Sequence, residues 1–233
     1  MNGRELAVAR GWDDTRATLR RWNAAPGAVL RPWLGVSLAV AAALLCATWL
    51  IALGATPDPS GHEFAGVTRD ATAGDAAFFF GRNLLVLALH ALACLAGFIA
   101  KSSLPLEAED HDGVWRWIHD RAGSAAIAFV GAATVCSLAT QAYALGSGLS
   151  TLAAQWGTST GVVLLAVLPH ALPELVALFL PLAAWLLAAR AERWEELMAA
   201  TFVTTAIALP VVALAAIVEV TLTPWILRAL HFV

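Results

Sequence analysis

Charge is what this sequence is short of. Only 13% of its 233 residues are Asp, Glu, Lys or Arg, about half the roughly 25% of an ordinary soluble domain. The small net charge of −3 offers no basic surface and so gives no ground for a nucleic-acid partner. Cysteine is scarce as well. Cys46, Cys94 and Cys136 all lie in apolar runs with no metal-ligand or disulfide spacing, so they read as small core residues and say nothing of redox compartment. Catalytic signatures are missing too. There is no His-Glu-x-x-His for a zinc protease. The paired glutamates of "ERWEELMAA" (192–200) lack the arginine that a glutamate-type prenyl-protein protease shows three residues on, and the serines of "GSGLS" (146–150) have no evident base. No internal repeat and no second domain stand out. The chain reads as a non-enzyme without a cofactor.

What is present is apolar sequence, 60% of the chain at a mean hydropathy of +0.73. A core of this size cannot bury that excess, so the surrounding medium is lipid. Five runs reach the length a bilayer requires: about 33–55, 83–100, 124–145, 161–189 and 201–222. Each has to be helical, because lipid cannot satisfy a bare backbone. The expectation is an all-α polytopic membrane helix bundle of five transmembrane helices, the fourth long and broken by proline. Residues 1–32 form an amphipathic, interfacial N-terminal helix on the cytoplasmic side, and 33–233 a single transmembrane domain. "ALGA" at 52–55 faintly resembles a signal-peptidase site, but the run before it exceeds the about 7–15 residues of a signal core, so it reads as a retained span.

Orientation follows from the basic residues. Arg4, Arg10, Arg16, Arg20, Arg21, Arg31, Lys101, Arg116, Arg121, Arg190 and Arg193 fall on the side of the N-terminus, against Arg69, Arg82 and Arg228 opposite. That bias puts the N-terminus in the cytoplasm and the C-terminus outside a multi-pass plasma-membrane protein. Trp33, Trp49, Trp185 and Trp225 fall near span ends, where indole rings favour the headgroup layer. Two stretches look interfacial: "GWDDTRATLRRW", with Trp12, Leu19 and Trp22 on one face, and "DGVWRWIHDR", with Val114, Trp117 and Ile118 aligned. Residues 56–82 read as an irregular outer loop. Residues 146–160 read as an uncharged one that lies on the surface or dips into the membrane.

Ionisable side chains at bilayer depth are expensive and normally face protein or water. Here they are His90, His170, Glu174 and Glu219, with Asn83 at the mouth of the second span. Asn83, Leu87, His90, Cys94 and Gly97 make a 4–3–4–3 stripe on one helical face. In "LLAVLPHALPELVALFLP" (164–181), Pro169 and Pro173 each remove a backbone donor beside His170 and Glu174, which predicts a kink or break there. The cluster reads three ways: a structural polar network, an ion or proton site, or a partner or ligand site. A zinc ion would need a third ligand from His90 or Glu219, and the metal question stays open.

Three blocks carry a resemblance: "FFFGRNLLVLALHALACLAG" (78–97), "PHALPELVALFL" (169–180) and "AAIVEVTLTPWI" (215–226). Together they resemble the stage II sporulation protein M family of integral membrane proteins. The resemblance carries the family's polar residues onto Asn83, Pro169, His170, Glu174, Glu219 and Pro224. Two positions depart from its pattern: Arg82 precedes Asn83 where the family commonly has a second Asn, and Ala171 follows His170 where it usually has Gly. The resemblance implies a scaffold or anchor. The founding member holds a glycan-cleaving and a stem-peptide-cleaving enzyme at the outer face of the septal membrane during engulfment of the forespore. The partners so implied are the lipid bilayer and extracytoplasmic proteins of the cell-wall hydrolase kind. A small transport component using an intramembrane His/Glu site is the competing expectation.

Overall fold

The computed structural model describes residues 3–61, 63–103 and 114–231, with side chains for 11–61, 63–101, 125 and 127–230. Among these residues there is no strand, and the molecule is an all-α polytopic helix bundle. Seven α-helices follow in order: α1 Gly3–Ala24, α2 Pro26–Gly54, α3 Ala73–Phe98, α4 Val114–Gln155, α5 Thr160–Leu178, α6 Leu180–Ala191 and α7 Leu197–His231. A π-helical turn, Ile99–Ser103, extends α3, and a 3₁₀ turn, Trp194–Glu196, precedes α7. Among the described residues five helical stretches are long and apolar enough to cross a membrane: Pro26–Gly54, Ala73–Lys101, Ile127–Gln155, Thr160–Ala191 and Trp194–Leu230.

Several boundaries differ from the expectation. The stretch 146–160 is not a loop: α4 continues to Gln155, leaving only Trp156–Ser159 between helices. Its glycines signal close approach rather than a turn. A Cβ on Gly146 would meet Ile51 Cγ2 at 2.7 Å and the Thr48 carbonyl oxygen at 2.9 Å. Nor do Pro169 and Pro173 break the fourth span. Helix α5 runs through both, and the interruption falls at Phe179, where the backbone turns to φ −91°, ψ 0°. Each proline deletes a single i→i−4 bond, a loss that transmembrane helices tolerate. Pro32, Pro210 and Pro224 are likewise inside helices. The break precedes Pro181, which stands in the first turn of α6, where its missing N–H costs nothing.

By contacts the chain divides into two compact units. The first comprises Met1–Ser37, Leu87–Val135 and Phe179–Ile207. Here α1 buries Gly11, Thr15, Thr18 and Trp22, a stripe offset from the face expected to be apolar, while Trp12 stays 45% exposed beside Phe202. Trp22 meets Trp33 edge-to-face at 5.1 Å over Leu180, Ala184, Ala199 and Ala200. Trp33 is therefore a buried packing residue, not a headgroup anchor. Arg21 closes on Glu196 at 2.6 Å, and Arg193 on the same carboxylate at 3.4 Å. Deeper in this unit, Cys94 Sγ donates to the Pro181 carbonyl at 3.0 Å. Gly97 admits Trp185 and Leu197 to within 2.9 Å and 2.8 Å of where a Cβ would stand. Of the three cysteines only Cys94 is a core residue; Cys46 and Cys136 are exposed. Side chains of the "DGVWRWIHDR" stretch lie outside the described residues.

The second unit comprises Leu38–Val86, Cys136–Leu178 and Ala208–Val233. Its core joins Ala52, Leu149, Leu152, Ala153, Val163, Ala166 and Leu227. Alanine is frequent in both cores because small side chains let helix backbones approach, and close packing substitutes in lipid for the missing hydrophobic drive. The connection from α2 to α3 belongs to this unit and is held at several points. The Asp58 amide donates to Thr151 Oγ1 at 3.1 Å, Ser150 Oγ donates to the Ala55 carbonyl at 3.0 Å, and Arg228 donates to the Gly66 carbonyl. Arg69 pairs with Asp75, Nη1 to Oδ2 at 2.9 Å, and that hydrogen bond holds the Arg69 guanidinium above its ordinary pKa.

Candidate functional site

Helices α5 and α7 each carry two polar side chains one turn apart, His170 and Glu174 on one, Glu219 and Thr223 on the other. Residues four apart share a helical face. The contacts run antiparallel. His170 Nδ1 lies 2.7 Å from Thr223 Oγ1, and one turn further along the same register Glu174 comes within electrostatic reach of Glu219. Helix α3 adds Arg82, which acts on both carboxylates, and Asn83, which approaches Glu174.

These groups border a cavity of about 290 Å³ in the second unit, with His170, Glu174, Glu219, Arg82, Thr48 and Thr223 as its polar lining. Phe64, Ala65 and Val67 of the α2–α3 connection also line it. That segment is seated by Gly66, at φ +76°. A Cβ there would stand 2.5 Å from Pro224 Cγ and 2.9 Å from the Val220 carbonyl, so only glycine fits.

His170, Glu174, Asn83 and Thr223 are buried, Glu219 is half-buried and Arg82 is exposed. Glu174 Oε2, Asn83 Nδ2 and Thr48 Oγ1 are buried without a hydrogen-bond partner. The Asn83 amide and the Glu174 carboxylate thus sit near one another but fall short of hydrogen-bond geometry. Arg82 is braced by cation–π contact with Phe79, its Cζ 5.5 Å from the ring centroid.

The structure therefore brings together Asn83, His170, Glu174 and Glu219 of the residues singled out in the sequence. His90 belongs to the first unit, where it is fully buried and packs edge-on to Phe179 at 5.4 Å. The stripe that placed it with Asn83 is buried throughout, Leu87, His90, Cys94 and Gly97 included. Among the described residues no group of three His, Cys, Asp or Glu could hold a metal ion, so His170, Glu174 and Glu219 do not make a zinc site as they stand.

Sequence reasoning left out Arg82, Thr223 and Thr48. The first two were within reach of it. Two carboxylates in lipid call for a countercharge, and Arg82 is adjacent to Asn83; Thr223 follows Glu219 by one helical turn. Thr48 carried no signal. No protein-family model, curated protein or solved structure matches this chain.

Proposed function

We propose that this protein is a non-enzymatic scaffold of the plasma membrane, of the stage II sporulation protein M type, that holds an extracytoplasmic protein over its α2–α3 connection. The N-terminus is cytoplasmic and the C-terminus outside. The observation that carries the reading is the order in that connection, tied down by Asp58, Gly66 and Arg69 through three separate contacts. A docking surface presented in one conformation loses little entropy on binding. Glu63 and Asp70 lie on the same segment, Glu63 paired with Arg69 at 3.7 Å. Crosslinking in intact cells followed by purification in mild detergent tests the proposal. An envelope protein is expected with the wild-type chain and lost with Gly66→Val. Recovery of none, while other membrane complexes survive, sinks the reading. A reporter fused at each terminus reads the orientation.

A second reading, a small transport component, is favoured by the cavity with its two carboxylates. Intramembrane polar groups lining a cavity are what transporters use. Flux in vesicles that is unchanged by Glu174→Gln and Glu219→Gln would exclude coupling through them.

A further inference from the structure

We propose that the cavity of the second unit binds a protonated primary amine carried on a short apolar chain, its ammonium group received by Glu174, Glu219 and Thr48. This goes beyond the scaffold reading and stands whether or not a protein docks on the α2–α3 connection.

Hydrogen-bond accounting comes first. His170 and Thr223 use one another. Glu174 Oε2 and Thr48 Oγ1, on residues only 8% and 4% exposed, have no hydrogen-bond partner. Both border the cavity, so a carboxylate oxygen, which accepts, and a hydroxyl, which accepts and donates, are left unused at its wall, while the unpartnered Asn83 donor is not part of the lining. Charge accounting agrees. Two carboxylates, Glu174 and Glu219, face one guanidinium, Arg82. Ionising both carboxylates beside one guanidinium leaves a negative charge that either a proton or a monocation must balance, and that an anion would aggravate.

The kind of cation follows from the surroundings. A bare metal ion needs ligands converging at short range, and no such group of three exists among the described residues. An ammonium brings three N–H donors of its own and reaches separate acceptors. The rest of the lining is apolar, with Phe64, Phe79, Leu145, Val167 and Leu227 among it, which suits a hydrocarbon tail. At about 290 Å³ the space is at the low end of the roughly 300–1,000 Å³ of ligand sites, so the ligand is small. A free alkylamine and the headgroup of an aminophospholipid offer this same chemistry.

Hexylammonium is the probe, titrated calorimetrically and by thermal unfolding against the purified full chain in detergent, with 1-hexanol as the uncharged control. Hexylammonium is expected to bind and to raise the unfolding midpoint, and hexanol to bind at least about tenfold more weakly. Glu174→Gln and Thr48→Val are each expected to weaken hexylammonium by about tenfold. Equal affinities for amine and alcohol, or no amine binding at all, overturn the proposal; the carboxylates are then neutralised by protons alone. The comparison on wild-type protein decides the matter even where a variant fails to fold. Nanodiscs of phosphatidylethanolamine against phosphatidylcholine, which lacks N–H donors, separate the sources. Weaker hexylammonium binding in the former identifies the lipid headgroup as the occupant, and equal binding in both identifies a free amine.

Discussion

His170 Nδ1 and Thr223 Oγ1 lie 2.7 Å apart across two antiparallel helices, both residues buried. This hydrogen bond fixes the register that also brings Glu174 towards Glu219. Replacing Thr223 with Val preserves shape but leaves the imidazole nitrogen without its partner. The expected loss is about 0.5–2 kcal/mol, since hydrogen bonds between membrane helices contribute modestly and buried orphans cost more. Thr223→Ser, which keeps the hydroxyl, is expected to unfold close to wild type. Reversible unfolding in mixed micelles measures both. A Val variant as stable as wild type would show that the register is held by other contacts.

The second prediction concerns helix approach. At Gly146 an alanine methyl would collide with Ile51 and the Thr48 carbonyl, and backbone cannot move aside as a flexible side-chain tip can. Gly146→Ala is expected to destabilise by about 1–3 kcal/mol, in the range of overpacked cores. Gly131 lies in the same helix with nothing within 4 Å of its notional Cβ. Gly131→Ala is expected to cost nothing, because alanine loses less backbone freedom in a helix. Unfolding midpoints of the two variants, compared side by side, check the assignment.

Much of the architecture was legible in the sequence. Five apolar runs gave the five spans because the bilayer leaves backbone no alternative to a helix. The expense of polar groups in lipid pointed to His170, Glu174 and Glu219, and the structure brings the three to one cavity, with His170 bonded to Thr223. Proline alone is not a sufficient stop: the break falls at Phe179 and not at Pro169 or Pro173. Pro169 and Pro173 stand one turn apart in a segment whose side chains are well packed, and the lost bonds do not outweigh that packing. The helical reach of 146–155 was missed for a related reason. Glycine and serine mark turns in water, yet between membrane helices they mark contact, as Gly146 and Ser150 do. His90 shared a stripe with Asn83, but the stripe is long enough to pass from one compact unit to the other, and helical phase alone does not register distance along the axis.

Cysteine accessibility supplies a third prediction. Cys46 and Cys136 are exposed, whereas Cys94 is fully buried and engaged with the Pro181 carbonyl. In mild detergent, N-ethylmaleimide, which partitions into micelles, is expected to modify Cys46 and Cys136 on the detergent-covered surface, slowly because thiolate forms poorly in apolar surroundings, and to spare Cys94 until the chain is denatured. Mass spectrometry of peptides before and after addition of a strong detergent counts the modified thiols. Rapid modification of Cys94 under native conditions would contradict the packing of α3 against the start of α6.

The fourth prediction concerns the seat of α1. Arg21 meets Glu196 at 2.6 Å, with the glutamate side chain 9% exposed and the arginine 61% exposed. Solvent screens the arginine, so the pair contributes no more than about 0.2–1 kcal/mol. That is little for global stability but enough to bias the docking of a helix whose other described contacts include Trp22, Trp12 beside Phe202 and a stripe of small residues. Arg21→Gln is expected to leave the unfolding midpoint nearly unchanged while speeding protease cleavage within α1. High salt is expected to reproduce part of that effect in the wild type, because the Debye length falls to about 3 Å at 1 M. Trp22→Ala removes the aromatic contact with Trp33 and is expected to release α1 at any ionic strength. Cleavage rates at low and high salt for the three proteins separate the electrostatic from the packing contribution. Salt-independent cleavage of the wild type would assign the docking to packing, without a contribution from the ion pair.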